Sequence, residues 1–432
     1  MIDIKKLREQ PEVFKKSSLA KNVNVDIDEI LRLDSENKKN LSLINELRAK
    51  LKSHSKKKPA QEEIEDLKKL SVDIKQKEAE QKSLQKKLDN LLYTIPNLST
   101  QDTPIGKNEK ENIVIKKNGE KPKFDFKPKE HWELGENLQI IDIERAAKVS
   151  GTRFAYLKGE LALLQFALIQ HALNSATDEK TIKKILKTAK LNVSSKPFTP
   201  IIPPALIKPE TMHKMARLEP KEERYHIPSD DLYLVGSAEH ALGPMFMDEI
   251  LEEDSLPLRF IGYSTSFRRE AGSYGKDVKG ILRLHQFDKL EFESFTVGES
   301  SFDEHLFFIA MQEYIMQSLK IPYRLVQSCT GDVGDPNARK VDVEAWMPGQ
   351  NTYRETHSAD YMTDFQARRL KTRVKRKAGD IELVHTNDAT AIAVGRTLIA
   401  IMENYQQKDG SIIVPKILQK YVSFKKISRS KK

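Results

Sequence analysis

The sequence predicts an α+β fold in which an antiparallel sheet flanked by helices follows a long antiparallel helical hairpin. Residues 1–100 carry helical periodicity and few aromatic side chains, whereas the residues from 131 onward have the composition of a globular domain. Two β-type runs within 256–298 flank a Gly-rich connection. The predicted organisation is an N-terminal arm over 1–100, a linker over 101–130, and a globular domain over 131–432 that ends in a basic tail.

The composition excludes several classes of protein. The 432 residues include 73 Lys and Arg against 63 Asp and Glu, a formal net charge of +10 that permits a polyanionic partner. No stretch of about 18 apolar residues occurs, so a membrane-spanning helix is not expected. A single cysteine, Cys329, forms no internal disulfide and no Cys-rich zinc module. Because the N-terminus lacks an apolar signal core, we expect a cytoplasmic location.

The first hundred residues contain two runs whose apolar positions recur at intervals of three, four and seven, which is typical of helices that pack along a narrow seam. These positions are Ile27, Leu31, Leu41, Ile44, Leu47 and Leu51 in the first run and Ile64, Leu67, Ile74, Leu84, Leu88 and Leu91 in the second. Polar residues at 37, 71 and 81 interrupt the seam. Pro59 separates the runs, so we predict an antiparallel hairpin about 40 Å long.

The tip of this hairpin is basic. Eight basic residues against one acidic residue, Glu46, give residues 38–58 a net charge of +7. The basic residues are Lys38, Lys39, Arg48, Lys50, Lys52, Lys56, Lys57 and Lys58. A projecting helix pair with such an end suits a phosphate backbone. The alternatives are a solvated hairpin without a partner and a hairpin that packs on another subunit.

The two β-type runs predict a hairpin with one polar and one apolar face, because alternate residues of a strand point in opposite directions. The polar face collects Arg268, Glu270, Arg283, Phe287 and Glu291. The apolar face collects Ile261, Tyr263 and Phe267 from the first run and Leu282, Leu284, Leu290 and Phe292 from the second. Arginines suit phosphate oxygens, a phenylalanine suits stacking on a base, and a carboxylate suits a ligand ammonium. The hairpin therefore predicts a nucleotide and amino-acid site, with a salt-bridged solvent face as the alternative.

The Gly-rich connection between the runs contains Gly272, Gly275 and Gly280. It does not match the GxxxxGK[ST] pattern of a phosphate-binding loop, since Lys276 is followed by Asp277.

The segment FRREAGSYGKDVKGILRLHQFDKLE resembles motif 2 of the class II aminoacyl-tRNA synthetases, in the form found in the seryl-tRNA synthetases. Further blocks resemble that family in chain order: HWELGENLQIID (131–142) the start of the catalytic domain, PFTPIIPPALIKPETM (197–212) motif 1, YRETHSADYMTDFQARR (353–369) the segment before motif 3, and AIAVGRTLIAIMENYQQKDGSIIVP (391–415) motif 3. The basic hairpin is similar to the family's N-terminal arm, which binds the long variable arm of tRNA.

The resemblance implies a class II synthetase-type antiparallel sheet and serine–tRNA ligase activity. It implies that L-serine reacts with ATP to give seryl-adenylate, and that the seryl group then passes to the 3′ end of tRNA(Ser), with tRNA(Sec) as a further candidate substrate. It also implies Mg²⁺ as a cofactor and a homodimer, with Pro204 of motif 1 at the dimer interface.

The family's site residues carry over to matching positions of this chain. The resemblance implies two catalytic arginines, Arg268 on the ATP α-phosphate and the serine carboxylate, and Arg396 on the outer phosphates. The implied ATP-binding residues are Arg268, Arg269, Glu270, Arg283, Phe287, Glu355, Thr356, His357, Ser358 and Arg396. The implied Mg²⁺ ligands are Glu355 and Ser358. The implied serine-binding residues are Ser237, Ala238, Glu239, Arg268, Glu291 and Thr390.

Several positions near the implied serine pocket depart from the usual family pattern. Ser237 replaces Thr and Thr390 replaces Ser, so both positions keep a hydroxyl. A pocket that hydrogen-bonds the substrate hydroxyl rejects alanine, because buried polar groups would be left unpaired. Asp388 stands where Asn is usual and could place a negative charge near the serine ammonium. The surrounding segments, Gly236 onward and Ala359 to Met362, are also atypical.

Three other functions compete with this interpretation. The first is a class II paralogue that activates another small amino acid or loads a carrier protein, which the long arm disfavours. The second is a catalytically inactive paralogue that binds nucleic acid, which the retention of Arg268, Glu291, Glu355 and Arg396 disfavours. The third is a coiled-coil scaffold, which the large globular region disfavours.

Overall fold

The structure, a computed structural model, describes residues 1–54, 61–271 and 279–429. Two compact units divide the chain, one over Met1–Leu98 and one over Ser99–Lys432. The predicted tip residues Lys56, Lys57 and Lys58, together with Gly272 and Gly275 of the predicted connection, lie outside the described residues. Within the described part, none of the helices is both long enough and apolar enough to span a bilayer.

The first unit contains the predicted helical hairpin. Its helices are α1 (Ile4–Glu9), α2 (Pro11–Ala20), α3 (Ile27–His54) and α4 (Gln61–Thr94). The bounds of α3 match the first predicted run, and its 28 residues span about 42 Å at 1.5 Å per residue. The short helices α1 and α2 were not predicted.

The seam between α3 and α4 differs in detail from the predicted stripe. The buried apolar positions are Ile27, Ile30, Leu33 and Ile44 on α3 and Ile74, Leu88 and Leu92 on α4, whereas Leu41 is 47% exposed and Ile64 is 41% exposed. The polar interruption forms a bonded layer, because Asn37 Nδ2 donates to Gln85 Oε1 at 2.8 Å and Gln81 Nε2 donates to Asn37 Oδ1 at 2.6 Å. A buried polar layer of this kind fixes the register of two helices.

The second unit combines nine helices with eighteen strands within its described residues. The helices are α5 (His131–Leu138), α6 (Ile143–Ser150), α7 (Glu160–Thr177), α8 (Glu179–Ala189), α9 (Pro209–Lys214), α10 (Glu239–Leu242), α11 (Ser301–Ser318), α12 (Phe365–Leu370) and α13 (Val394–Asn404). The strands are β1 (Ile113–Asn118), β2 (Ile141–Asp142), β3 (Tyr156–Leu157), β4 (Thr199–Ile201), β5 (Leu206–Ile207), β6 (His226–Ile227), β7 (Leu232–Leu234), β8 (Ile250–Glu252), β9 (Leu258–Phe267), β10 (Gln286–Thr296), β11 (Tyr323–Gln327), β12 (Arg339–Met347), β13 (Thr352–Thr363), β14 (Arg373–Lys375), β15 (Ile381–Leu383), β16 (His385–Ala393), β17 (Ile412–Ile413) and β18 (Lys426–Ile427).

Eight strands form the main sheet, in the order β1-β11-β12-β13-β16-β10-β9-β4. All neighbouring pairs are antiparallel except β4 and β9. Helices α7, α11 and α13 contribute Leu164, Phe308 and Leu398 to the core that also buries Phe292 of β10 and Val343 of β12. The predicted α+β architecture with a helix-flanked antiparallel sheet is therefore confirmed.

Three predictions about local structure need correction. The segment 101–130, expected to be a linker, contributes β1, which pairs with β11 through partners such as Ile113 and Gln327. The second β-type run begins as a strand only at Gln286, because the Ile281 N–H donates to the His131 side chain at 3.1 Å rather than to a neighbouring strand. The strand face predicted for Arg268, Glu270 and Arg283 is not a strand face, since β9 ends at Phe267 and β10 begins at Gln286.

Candidate active site

The hairpin of β9 and β10 presents part of the predicted polar face: Phe287 and Glu291 lie on β10, whereas the other three members fall in the connection between the strands. Phe287 pairs with Ser266, Lys289 with Ser264, and Glu291 with Gly262. Of the predicted apolar members, Ile261, Leu290 and Phe292 are buried in the core. Leu282 and Leu284 precede β10 and border the same surface as Phe287. Alternation along the two strands thus places an aromatic ring, an ammonium and a carboxylate in a row on one face, as predicted for Phe287 and Glu291.

Two β-bulges, one in β13 and one in β16, change which side chains of these strands face the side of the sheet that carries Phe287 and Glu291. In β13 the register passes from His357 opposite Val343 to Glu355 opposite Glu344, which leaves Thr356 as the extra residue. In β16 the register passes from Ile392 opposite Leu290 to Thr390 opposite Glu291, which leaves Ala391 as the extra residue. Each extra residue reverses the alternation of its strand, a device that is common beside active sites.

A buried glutamine supports the backbone around both bulges. Gln312 of α11 is fully buried, and its Nε2 donates to the carbonyl oxygens of Ser358 at 2.7 Å and Thr390 at 2.9 Å. These bonds tie the two irregular strands to one helix. The positions of Ser358 and Thr390 are therefore set by the packing of α11 as well as by the strand ladder.

A cleft collects most of the predicted nucleotide-binding residues. Its lining includes Arg268, Glu270, Arg283, Phe287, Lys289, Glu355, Thr356, Thr390, Gly395 and Arg396. They come from the β9–β10 hairpin, from β13 and β16, and from the first turn of α13. Sequence positions more than 120 residues apart thus meet at one surface of the main sheet.

Arg268 lies on this surface and is held there by several contacts. Its Nε donates to the carbonyl oxygen of Gly236 at 3.0 Å, and its guanidinium lies 5.3 Å from the ring centroid of Phe287. Its backbone N–H donates to the His285 carbonyl at 2.9 Å, and His285 Nδ1 lies 3.0 Å from the Arg268 carbonyl oxygen. The arginine is held at both backbone and side chain, so its charge has a defined position.

Two ion pairs flank Arg268 along the cleft. Arg283 Nη1 donates to Glu270 Oε2 at 2.7 Å. Arg396 Nη1 lies 3.3 Å from Glu355 Oε1 and donates to the Glu355 carbonyl at 3.1 Å. Desolvation alone would raise the pKa of Glu355, but the charges of Arg396 and Lys340 lower this pKa to about 2. Glu355 is therefore a carboxylate at neutral pH.

The predicted serine-binding residues form a hydrogen-bonded cluster next to the cleft. Ser237 Oγ donates to Glu291 Oε1 at 2.7 Å and lies 3.4 Å from Glu239 Oε2. Thr390 Oγ1 approaches the same Glu291 oxygen at 3.4 Å. Ser358 Oγ lies 3.5 Å from Thr390 Oγ1, which links the cluster to β13.

Lys289 also contacts this cluster and was not among the predicted site residues. Its Nζ forms an ion pair with Glu291 and donates to Ser237 Oγ at 3.2 Å. Burial raises the pKa of Glu291, and Lys289 opposes that shift. The signal for this residue was present in the sequence, because Lys289 shares its strand parity with Phe287 and Glu291.

Arg269, His357 and Ala238 belong neither to the cleft lining nor to this hydrogen-bonded cluster. The guanidinium of Arg269 lies 5.8 Å from the ring centroid of Tyr225, and its backbone N–H donates to the Glu223 carbonyl. His357 is buried with Nδ1 2.8 Å from Thr356 Oγ1, and desolvation lowers its pKa to about 3, so the ring is neutral. Ala238 is fully buried at the start of α10.

The oxygen donors at Glu355 and Ser358 suit a hard divalent cation. Glu355 contributes an ionised carboxylate and Ser358 a hydroxyl, both from β13 on either side of its bulge. Mg²⁺ prefers oxygen ligands and commonly uses one or two carboxylates together with substrate phosphates. Within the described ranges, no group of three or more His, Cys, Asp and Glu side chains forms a complete metal cage. The donor set fits a cation shared with a phosphate ligand.

Comparisons with known proteins agree with this geometry. Residues 1–99 match the family model of the seryl-tRNA synthetase N-terminal domain, and residues 223–405 match that of the tRNA synthetase class II core domain (G, H, P, S and T). The chain is 41% identical to a serine–tRNA ligase of Fervidobacterium nodosum, over 98% of both chains. It is 40% identical to that of Pseudothermotoga lettingae, over 98% of this chain and 99% of the relative.

A solved structure shows the same fold over the full length. The seryl-tRNA synthetase from Pyrococcus horikoshii, complexed with ATP, superposes with a TM-score of 0.90 at 37% sequence identity and covers 100% of both chains.

Proposed function

The chain belongs to the seryl-tRNA synthetase family and is an aminoacyl-tRNA ligase that joins serine to tRNA, and we propose that the cleft beside Arg268 is where serine and ATP react. In the first step a carboxylate oxygen of serine attacks the α-phosphorus of ATP, the bond to the β-phosphate breaks, and pyrophosphate leaves. In the second step a terminal ribose hydroxyl of tRNA attacks the carbonyl carbon of seryl-adenylate, and AMP leaves.

The observation that carries this proposal is the position of Arg268 between two subsites. On one side its guanidinium lies against Phe287, and on the other its Nε bonds to Gly236, the residue before Ser237. We propose that Arg268 binds the α-phosphate and the serine carboxylate together, so that its charge stabilises the five-coordinate transition state. A fixed arginine also holds the two reactants in line.

The ATP subsite is built from the remaining cleft residues. We propose that adenine stacks on Phe287, that Glu270 contacts the adenine side, and that Arg283 and Arg396 bind the outer phosphates. Both arginines are paired with carboxylates, Glu270 at 2.7 Å and Glu355 at 3.3 Å, which positions them before the nucleotide arrives. The remaining predicted contacts are those of Arg269, Thr356 and His357, of which Thr356 lines the cleft.

We propose that Glu355 and Ser358 hold Mg²⁺. When bound, the ion supplies positive charge to the phosphate oxygens of ATP and favours departure of pyrophosphate. The ion pair between Glu355 and Arg396 keeps the carboxylate ionised and aimed at the cleft.

The serine subsite is the cluster around Glu291. We propose that Glu291 accepts the substrate ammonium and that Ser237, Glu239 and Thr390 surround the substrate hydroxyl. The ammonium of Lys289 contacts both Glu291 and Ser237, so the serine ammonium must share or replace that contact. The buried hydroxyls and carboxylates would be left unpaired by alanine, which is the basis for its rejection.

Replacing Glu291 with glutamine tests the serine subsite. The variant keeps the shape and loses the charge that binds the ammonium, so we expect the KM for serine in ATP–pyrophosphate exchange to rise about 10- to 100-fold, with the KM for ATP changed less than about twofold. Glu299→Gln, which removes a partner of Arg376 outside the cleft lining, is the control and should leave both constants unchanged. An unchanged KM for serine in Glu291→Gln would show that the ammonium binds elsewhere.

We propose that the first unit binds tRNA through the hairpin of α3 and α4. Lys39, Lys50 and Lys52 are exposed on α3, Arg48 forms an ion pair with Glu78 at 2.7 Å, and Lys38 lies 3.6 Å from Asp34. Exposed ion pairs of this kind are weak and readily exchange a carboxylate for a phosphate. The predicted contacts at Lys56, Lys57 and Lys58 lie outside the described residues.

Two further properties are proposed on the basis of the family. We propose a homodimer with Pro204, an exposed residue after β4, at its interface. We also propose a cytoplasmic location, because charged tRNA is consumed there by translation.

A further inference from the structure

An unusual row of carboxylates lies beneath the proposed serine subsite. Asp388 of β16 pairs with Asp360 of β13 on one side and with Glu293 of β10 on the other. All three are buried, and Glu291 and Glu239 lie in the same region. Like charges directly opposite one another destabilise a sheet, so this row needs a cation among its neighbours.

Arg217 supplies that cation. Its Nη2 lies 3.3 Å from Asp388 Oδ2 and 3.6 Å from Asp360 Oδ2, and its Nε lies 3.3 Å from Glu239 Oε1. The side chain is only 16% exposed. One arginine thus contacts three carboxylates from three separate elements.

The backbone of Arg217 is held on both sides. Its N–H donates to the Met212 carbonyl at 3.1 Å, and its own carbonyl accepts from Arg224 Nε at 3.0 Å. Arg217 lies three positions after the end of α9, so a short turn places its guanidinium next to the carboxylates. This support leaves the side chain little freedom to reorient.

A chain of contacts connects Arg217 to the substrate subsite. Arg217 contacts one oxygen of Glu239, the other Glu239 oxygen lies 3.4 Å from Ser237 Oγ, and Ser237 Oγ donates to Glu291. A change in the position of Glu239 would therefore be passed to the two groups proposed to bind serine. Small displacements of binding groups have large kinetic effects.

We propose that Arg217 is a positioning residue for serine recognition, which fixes Glu239 in the pocket and is itself held by Asp388. This inference rests on the proposed function of the pocket. It explains the aspartate at 388, where the family usually has asparagine: the Asp388 side chain is directed to Arg217 Nη2, at 3.3 Å, and not to the serine ammonium. The two residues act together: Arg217 holds Glu239 in position, and Asp388 holds Arg217 in position.

The test compares four variants in serine-dependent ATP–pyrophosphate exchange. We expect Arg217→Gln to raise the KM for serine at least about 10-fold while the KM for ATP changes less than about twofold. Arg217→Lys keeps the charge and should recover part of the loss. Asp388→Asn alone should have a smaller effect than Arg217→Gln, because Arg217 keeps Glu239 and Asp360. The double variant Arg217→Gln/Asp388→Asn should show about the same KM for serine as Arg217→Gln, because Asp388 acts on the pocket through Arg217.

A buried arginine elsewhere controls for loss of stability. Arg259 pairs with Glu304 at 2.5 Å and is fully buried, so Arg259→Gln should lower the melting temperature without a selective change in the KM for serine. The inference is overturned if Arg217→Gln leaves the KM for serine unchanged, if it raises both KM values equally, or if the double variant raises the KM for serine well beyond that of Arg217→Gln. If Arg217→Gln does not fold, the test uses Arg217→Lys, in which the positive charge is kept but moved. An unchanged KM for serine in Arg217→Lys would then contradict a positioning role for Arg217.

The outcome for the wild-type protein separates the two proposals. If the wild-type protein shows no exchange with serine, the proposed function fails whatever the variants do. If it does show exchange and Arg217→Gln behaves like wild type, only the inference about Arg217 fails.

Discussion

Replacing Arg268 with alanine is expected to reduce serine-dependent ATP–pyrophosphate exchange by roughly 10³-fold or more. The variant loses the guanidinium that lies against Phe287 and bonds to Gly236, the residue before Ser237. Both reactants and the developing charge on the α-phosphate would lose their shared partner. The measurement is the exchange rate at saturating serine and ATP.

A matched variant separates this effect from misfolding. Arg324→Ala removes a partly buried arginine of the same sheet, whose Nε pairs with Glu344 at 2.5 Å, and should exchange at nearly the wild-type rate. The melting temperatures of both variants should lie close to that of the wild type. If Arg268→Ala folds and retains exchange within about tenfold of wild type, Arg268 is not the residue that binds the transition state.

Shortening the hairpin is expected to separate the two steps of the reaction. Asn40 Nδ2 donates to the Lys77 carbonyl at 3.4 Å, so these residues lie side by side on α3 and α4. Replacing residues 41–76 with a short Gly-Ser turn would keep the base of the hairpin and remove its basic tip. We expect exchange to change less than about twofold, because the cleft belongs to the other unit, while tRNA charging falls by roughly 10²-fold or more.

Charge variants sharpen this experiment. Replacing Lys50 and Lys52 with glutamine in the full-length chain should weaken charging modestly and reduce its dependence on salt, because each lost phosphate contact lowers the salt slope. A matched change at Lys5, an exposed lysine of α1, should have no such effect. Full charging by the shortened protein would rule out the hairpin tip as the tRNA contact.

Strand alternation predicted part of the polar face of the β9–β10 hairpin, but not that Arg268, Glu270 and Arg283 lie in the connection between the strands. Strand alternation alone placed Phe287 and Glu291 together, and the observed pairing with Ser266 and Gly262 confirms it. The remaining site residues were predicted from the resemblance to class II synthetases, because Glu355 and Arg396 lie on a strand and a helix that are far from this hairpin in the sequence. Their ion pair at 3.3 Å depends on the assembled sheet.

The bulges at Thr356 and Ala391 could not be predicted from a single sequence. Strand parity assigns faces by counting in twos, and one extra residue reverses every later assignment. Neither position has a Gly or another local signal for a bulge. The same limit hid Arg217, which lies 171 residues from Asp388 and meets it only in the folded domain.

The strand β1 escaped prediction for a different reason. Ile113, Val114 and Ile115 are all largely exposed at one edge of the main sheet, and two lysines follow them. An edge strand without a buried face has no alternation of apolar and polar residues. Its composition therefore looked like that of a linker.

The central claim is that this chain activates serine, and the most direct test is ATP–pyrophosphate exchange by the purified protein with each proteinogenic amino acid in turn. We expect strong exchange with serine, weak exchange with threonine and none with alanine or glycine, because the pocket around Glu291 requires a small substrate with a hydroxyl. Exchange with another amino acid and none with serine would contradict the account.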